Sequence, residues 1–130
     1  MRSIDKNKVG LYLKLGRILS QFVGVGSYFG SRTFDWIKLE RNEALYRAVL
    51  VRSFDEGDEY SNAVMTFSTV NELEGEDDFF EGTEEELVQW LETKFGFGLD
   101  GFCMPDDLNA IYADLVSKGK LGYHLDIKND

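Results

Sequence analysis

Cys103 and His124 are the only thiol and the only imidazole in this 130-residue chain. If they met in space, the imidazole would activate the thiol, and Cys103 lies just before Pro105, where a helix dipole would favour the thiolate. Their neighbours point to a plainer role. Cys103 sits between Phe102 and Met104, as a small buried apolar group does, and His124 alternates with Tyr123 and Leu125 at an outward strand position. With one cysteine, no intrachain disulfide and no cysteine-based zinc site can form.

The densest chemistry is carboxylate. From Glu72 to Glu86 nine of fifteen residues are acidic, and only Leu73, Phe79 and Phe80 are large and apolar. A twelve-residue calcium loop starting at Asp77 would place Gly82 correctly at its sixth position. It would also place Phe79 at the third and Val88 at the twelfth, where oxygen ligands are required, so that motif fails. A loop starting at Asp55 fails because Tyr60 takes the glycine position. An irregular hard-cation site among Asp55, Asp58, Glu76, Asp77 and Asp78 is the remaining metal reading, and a solvated acidic surface is the simpler one. Glycoside hydrolysis needs two acids of different pKa across a cleft, which a run of exposed acids does not supply.

Gly96, Gly98 and Gly101 spell the dinucleotide fingerprint, but a helix feeds them where a strand is needed, so they read as a helix-ending turn. Gly24, Gly26 and Gly30 fail on the same ground and on spacing. No nucleophile elbow, phosphate-binding loop or paired zinc-protease histidines occur. A non-enzyme without a cofactor is expected.

The elements that would position these residues follow from periodicity. Leu11, Leu15, Ile18, Leu19, Phe22 and Val23 recur at helical spacing, which predicts a helix from Asp5 to Val23 ended by Gly24 and Gly26, then a loop over Val25 to Arg32. Three segments rich in β-branched and aromatic residues follow: Thr33 to Glu40, Ala44 to Phe54, and Tyr60 to Val70. Short connections at Arg41 to Glu43 and at Asp55 to Glu59 make them an antiparallel meander. The acidic stretch reads as an ordered surface loop. Thr83 and Glu86 form a capping box that opens a helix with Leu87, Val88, Leu91 and Phe95 on its buried stripe, closed by Gly96. Pro105 with Asp106 and Asp107 opens another, burying Leu108, Ile111, Tyr112, Leu115 and Val116. Leu121, Tyr123, Leu125 and Ile127 then alternate as a short last strand. The expected fold is α+β: an antiparallel meander sheet of three to four strands packed with an N-terminal helix and two C-terminal helices, all in a single domain spanning 1–130.

Charge divides the chain. Residues 1–54 carry ten basic side chains against four acidic ones, whereas residues 55–114 carry Lys94 alone against eighteen acids; the whole chain stands at −10. Apolar residues make up 43% of the composition, enough to fill a core despite that charge, so a folded domain is expected rather than disorder. The bases of the first third are scattered, and the acidic part would repel phosphates, which argues against direct nucleic-acid binding. Lys14 and Arg17 interrupt the N-terminal apolar residues before a signal core or membrane span can form. A soluble cytoplasmic protein, not bound to membrane, is expected.

What remains is acid mixed with aromatic. Asp55, Glu56, Asp58, Glu59, Glu72, Glu74, Glu76, Asp77, Asp78 and Glu81, with Phe79 and Phe80 among them, could steer a basic partner and then anchor it by burying rings. In size, acidity and lack of catalytic motifs the chain resembles the small acidic immunity proteins of bacterial toxin systems, such as those of contact-dependent growth inhibition. That resemblance implies a bacterial, non-catalytic inhibitor that neutralises a basic, nuclease-like toxin as a monomer in a 1:1 complex. A DNA mimic or other regulatory binding protein is the alternative, and a small enzyme or hard-cation-binding domain the further one.

Overall fold

A computed structural model describes residues 3–75 and 78–122. The chain opens with a 3-10 turn, Lys6–Lys8, running into a short helix α1, Val9–Lys14. Three long strands follow: β1 Leu19–Tyr28, β2 Ser31–Asn42 and β3 Leu45–Phe54. After a 3-10 turn at Val64–Thr66 come helix α2, Val70–Glu74, and a four-residue strand β4, Phe79–Gly82. Helices α3, Glu84–Phe95, and α4, Pro105–Ser117, complete the described chain. The strands lie in the order β1-β2-β3-β4, every neighbouring pair antiparallel, so the fold is α+β.

The sheet is covered on both faces. On one, Leu19, Ile37, Leu39 and Ala48 pack against Val9 and Leu13 of α1, Leu87 and Leu91 of α3, and Phe102. On the other, Phe34 and Trp36 meet Leu108, Tyr112 and Val116 of α4, with Val64, Phe67 and Cys103 filling between. Each fully buried Leu, Ile or Phe contributes about 1.5–3 kcal/mol, whereas an exposed ion pair contributes at most about 1 kcal/mol. The two apolar clusters therefore decide stability.

The C-terminal half follows its sequence signals. The Thr83 hydroxyl accepts from the Glu86 amide, the Glu86 carboxylate accepts from the Thr83 amide, and Gly96 ends α3 in the left-handed region at φ 82°. That completes the capping box and explains Gly96 as a stop. Pro105 occupies the first turn of α4.

The N-terminal expectation is corrected. The helix stops at Lys14, where Gly16 adopts φ 80°, and Leu19 to Val23 join a strand that continues through the segment expected to be a loop. Gly26 is a glycine because β2 crowds it. A Cβ there would stand 2.7 Å from Asp35 Oδ2 and 2.9 Å from Thr33 Oγ1. Turn residues Phe29 and Gly30, at φ 48° and 86°, close the β1–β2 hairpin.

The strand expected from Tyr60 to Val70 is absent, and Asp55 to Glu59 is not a hairpin turn. Thr66 donates its hydroxyl to Ala63 O, and the 3-10 turn sets Val64 and Phe67 three residues apart on one side, where both bury. Their β-favouring composition is satisfied by packing under α4, and a single bridge, Ser53 to Thr69, remains of the sheet pairing. The fourth strand comes instead from the acidic stretch: Phe79 to Gly82 pair with Tyr46 to Val49. The alternating segment from Leu121 onward lies outside the described residues from Tyr123.

Candidate interaction surface

The acidic residues do not form one patch of equivalent groups. Asp55 is interior, with its side chain 1% exposed. Its carboxylate accepts from Tyr112 Oη at 2.5 Å, from the Gly122 amide at 2.9 Å and from Arg32 Nε at 3.1 Å. A group so placed holds the fold together and cannot greet a partner. Nothing in its sequence position distinguishes it from Glu56.

Glu56, Asp58 and Glu59 are exposed. Glu56 accepts from the Ser68 amide, next to the N-terminus of α2, and Asp58 accepts from the Tyr60 and Ser61 amides at 2.8 Å. Asp58 thus shapes its own turn, at whose tip Tyr60 stands 92% exposed.

Helix α2 is the centre of the surface. Its Thr69 cap accepts from the Glu72 amide at 3.1 Å, and Gly75 ends it at φ 86°. Five residues cannot hold a helix by themselves, so the anchor is tertiary. Asn71 Nδ2 donates to Leu50 O at 2.9 Å and its Oδ1 accepts from the Arg52 amide at 3.0 Å, imitating a strand along β3 beyond the end of β4. That clamp leaves Glu72, Leu73 and Glu74 outward, with Leu73 68% exposed. Glu74 accepts from Tyr28 Oη, and this hydrogen bond pushes the Tyr28 phenol above its ordinary pKa.

Strand β4 continues the rim and separates the two phenylalanines. Phe80 turns inward and packs on Trp90, ring centroids 5.7 Å apart. Phe79 turns outward and is 51% exposed, with the Arg47 guanidinium 5.5 Å from its ring centroid. Glu81 lies opposite Arg47 in the register, and Asp78 pairs with Lys94 Nζ at 2.6 Å. Asp78 and Glu81 therefore have cations close by, and Arg52 lines the same cavity as Glu74 and Tyr28. Glu76 and Asp77 lie outside the described residues.

Of the twelve residues singled out in the sequence, the fold sets Glu56, Glu72, Glu74, Asp78, Phe79 and Glu81 along the β3–α2–β4 rim, carries Asp58 and Glu59 on the adjoining turn, and takes Asp55 and Phe80 inside. Leu73 was passed over, although its place between two glutamates is the signal of an exposed apolar side chain. Asp35 was missed too. It sits half-buried on β2 beside Thr33, 3.5 Å from Arg52 Nε, and burial raises its pKa against the pull of Arg52. An acid within a β-branched run, on the same face as Ile37 and Leu39, was its signal.

Cys103 is buried, its Sγ 3.8 Å from Ser20 Oγ, and burial pushes the thiol up, away from the thiolate. His124 lies outside the described residues. Among the described residues no group of three or more His, Cys, Asp or Glu side chains stands together as a metal-ligand set, and no helix is long and apolar enough to cross a membrane. A cleft of about 540 Å3 between α1 and α3 is lined by Lys6 and Lys14 as well as Glu84, Glu92 and Asp100, so it presents both signs of charge to any one ligand.

No family model matches the chain, and no curated protein or solved structure matches it.

Proposed function

We propose that this chain is a non-catalytic inhibitor that binds a basic protein through the rim formed by α2, β4 and the Glu56–Tyr60 turn, in the manner of a bacterial immunity protein neutralising a nuclease-like toxin in the cytoplasm. The observation that carries this reading is the alternation on the rim. Leu73, 68% exposed, stands between Glu72 and Glu74, and Phe79, 51% exposed, stands between Asp78 and Glu81. Exposed apolar side chains ringed by acids suit a partner whose cationic surface is drawn in by the field and then held by burial of side chains.

The two parts have separate kinetic roles. The acids of α2 raise the association rate, an effect screened over about 8–10 Å at ordinary ionic strength, while Leu73 and Phe79 slow dissociation.

The test is affinity capture with the intact chain from its native host, followed by association kinetics with the captured protein. Joint replacement of Glu72 and Glu74 by Gln is expected to slow association about tenfold at low salt and to matter little at high salt. Capture of no basic protein, or an unchanged rate in the Gln variant, overturns the reading.

A further inference from the structure

Phe29 stands at the tip of the β1–β2 hairpin in the left-handed region, at φ 48°, with Gly30 after it at φ 86°. Glycine and asparagine adopt that region readily, whereas a bulky side chain there is strained. Burial does not offset the strain, because Phe29 is 92% exposed. Tyr60 is equally exposed, but its phenol offers a hydroxyl to water and the Phe29 ring has no polar atom. The β2–β3 turn has the same backbone feature at Glu43, φ 57°, and sets an exposed charged side chain there.

The tip is fixed in position. Arg52 Nη2 donates to Ser27 O at 2.8 Å, and Tyr28 reaches across the sheet to donate its hydroxyl to Glu74 at the end of α2. The Tyr28 ring also meets Phe54 edge-on at 6.1 Å, and the Phe29 ring stands T-shaped against Tyr28 with centroids 4.7 Å apart. Phe29 is thus joined to the acidic rim through a single ring, that of Tyr28.

Resting on the reading of the rim as the surface for a basic protein, we propose that Phe29 is an anchor of that surface and that the partner offers an apolar pocket, bordered by cationic side chains, to its phenyl ring. A ring presented by a rigid hairpin loses little freedom when it inserts, and a desolvated pocket is where a single aromatic side chain contributes most. The Glu74 carboxylate beside Tyr28 favours cationic groups at the mouth of that pocket. A hairpin tip is convex, so its complement is a cleft, the feature in which an enzyme's active site lies.

Phe29→Asn tests this with and without the partner, because Asn accepts the left-handed backbone and lacks the ring. Thermal unfolding of the free chain is expected to show a midpoint unchanged or raised by up to about 5 °C. A lowered midpoint would mean that the ring serves the fold, and it overturns the inference whatever the partner. Against the basic protein captured by the wild-type chain, the variant is expected to dissociate about tenfold faster with its association rate little changed. An unchanged dissociation rate overturns the inference and leaves the rim reading standing, since that reading is tested by association of the joint Glu72 and Glu74 replacement. Capture of no basic protein overturns both. Binding of the wild-type chain to vesicles of neutral lipid, lost in Phe29→Asn, would assign the ring to a membrane and also overturns the inference.

Discussion

Tyr112 of α4 donates its hydroxyl proton to Asp55 Oδ1 at 2.5 Å and at the same time accepts from the Gly57 amide at 3.0 Å. Asp55 also takes the Gly122 amide and the Arg32 guanidinium. One buried carboxylate thereby joins the start of β2, the end of β3, α4 and the residue that leaves the described chain. A buried charge is tolerable only when paired and hydrogen-bonded, and here it is both.

Asp55→Ala is expected to cost about 2–4 kcal/mol, since it strands the Gly122 amide, deprives the Tyr112 hydroxyl of its acceptor and removes one partner of Arg32, which is itself part-exposed. Tyr112→Phe should cost about 1–2 kcal/mol, because the ring still packs on Phe34 and Phe67. Urea unfolding of both single variants and the double variant checks this. Strictly additive losses would mean that the two groups do not act as a unit.

Gly57→Ala should be worse tolerated than its small size suggests. A Cβ there would stand 2.1 Å from the Ser61 carbonyl oxygen and 2.5 Å from the Phe67 ring, and the first of these is backbone. A loss above about 2 kcal/mol is expected, with the near-ultraviolet signal of the aromatic cluster changed.

Phe79 and Phe80 are adjacent in sequence and opposite in consequence. Phe80→Ala should lower stability by about 2 kcal/mol and alter Trp90 fluorescence, since it removes the ring packed on that indole. Phe79→Ala should leave the denaturation midpoint nearly unchanged and speed dissociation from a captured partner. Equal stability losses in the two would remove Phe79 from the interaction surface.

Acid titration separates two carboxylates by sign. The Thr83 amide holds Glu86 below its ordinary pKa, so its contribution is present above the unfolded value and lost as pH falls through the folded one. Burial holds Asp35 above its ordinary pKa, so its contribution is present below the unfolded value and lost as pH rises through the folded one. Glu86→Gln should therefore flatten the acid-side loss of stability around pH 4, and Asp35→Asn should remove an opposing drift above it. Denaturation midpoints at successive pH values check both, and a shared sign for the two substitutions would contradict the assignment.

Elements with local signals were legible and those with tertiary causes were not. The capping box of Thr83 and Glu86, the Gly96 stop and the Pro105 start each act within one turn of chain, so spacing alone revealed them. The break at Gly16 was hidden because Leu11 to Val23 satisfies a helical period while Leu19 to Val23 has β2 waiting to pair with it. Tyr60 to Val70 has a strand's composition but is claimed by packing beneath Tyr112. On the surface, the rim was visible as charge, whereas the inward turn of Asp55 and Phe80 depends on register and on groups far along the chain.

The β3-to-β4 connection has a kinetic side. Strands β1, β2 and β3 are joined by two-residue turns and can zip in sequence, but β4 returns only after residues 55–78 and pairs over four positions. The last strand should accordingly dock late and open early. In native-state hydrogen exchange its amides and those of α2 would then be released together, while the three-stranded hairpin array still holds its protons. The segment that carries Leu73 and Phe79 would thus open before the three-stranded array does, with Phe80 as its tie to the core.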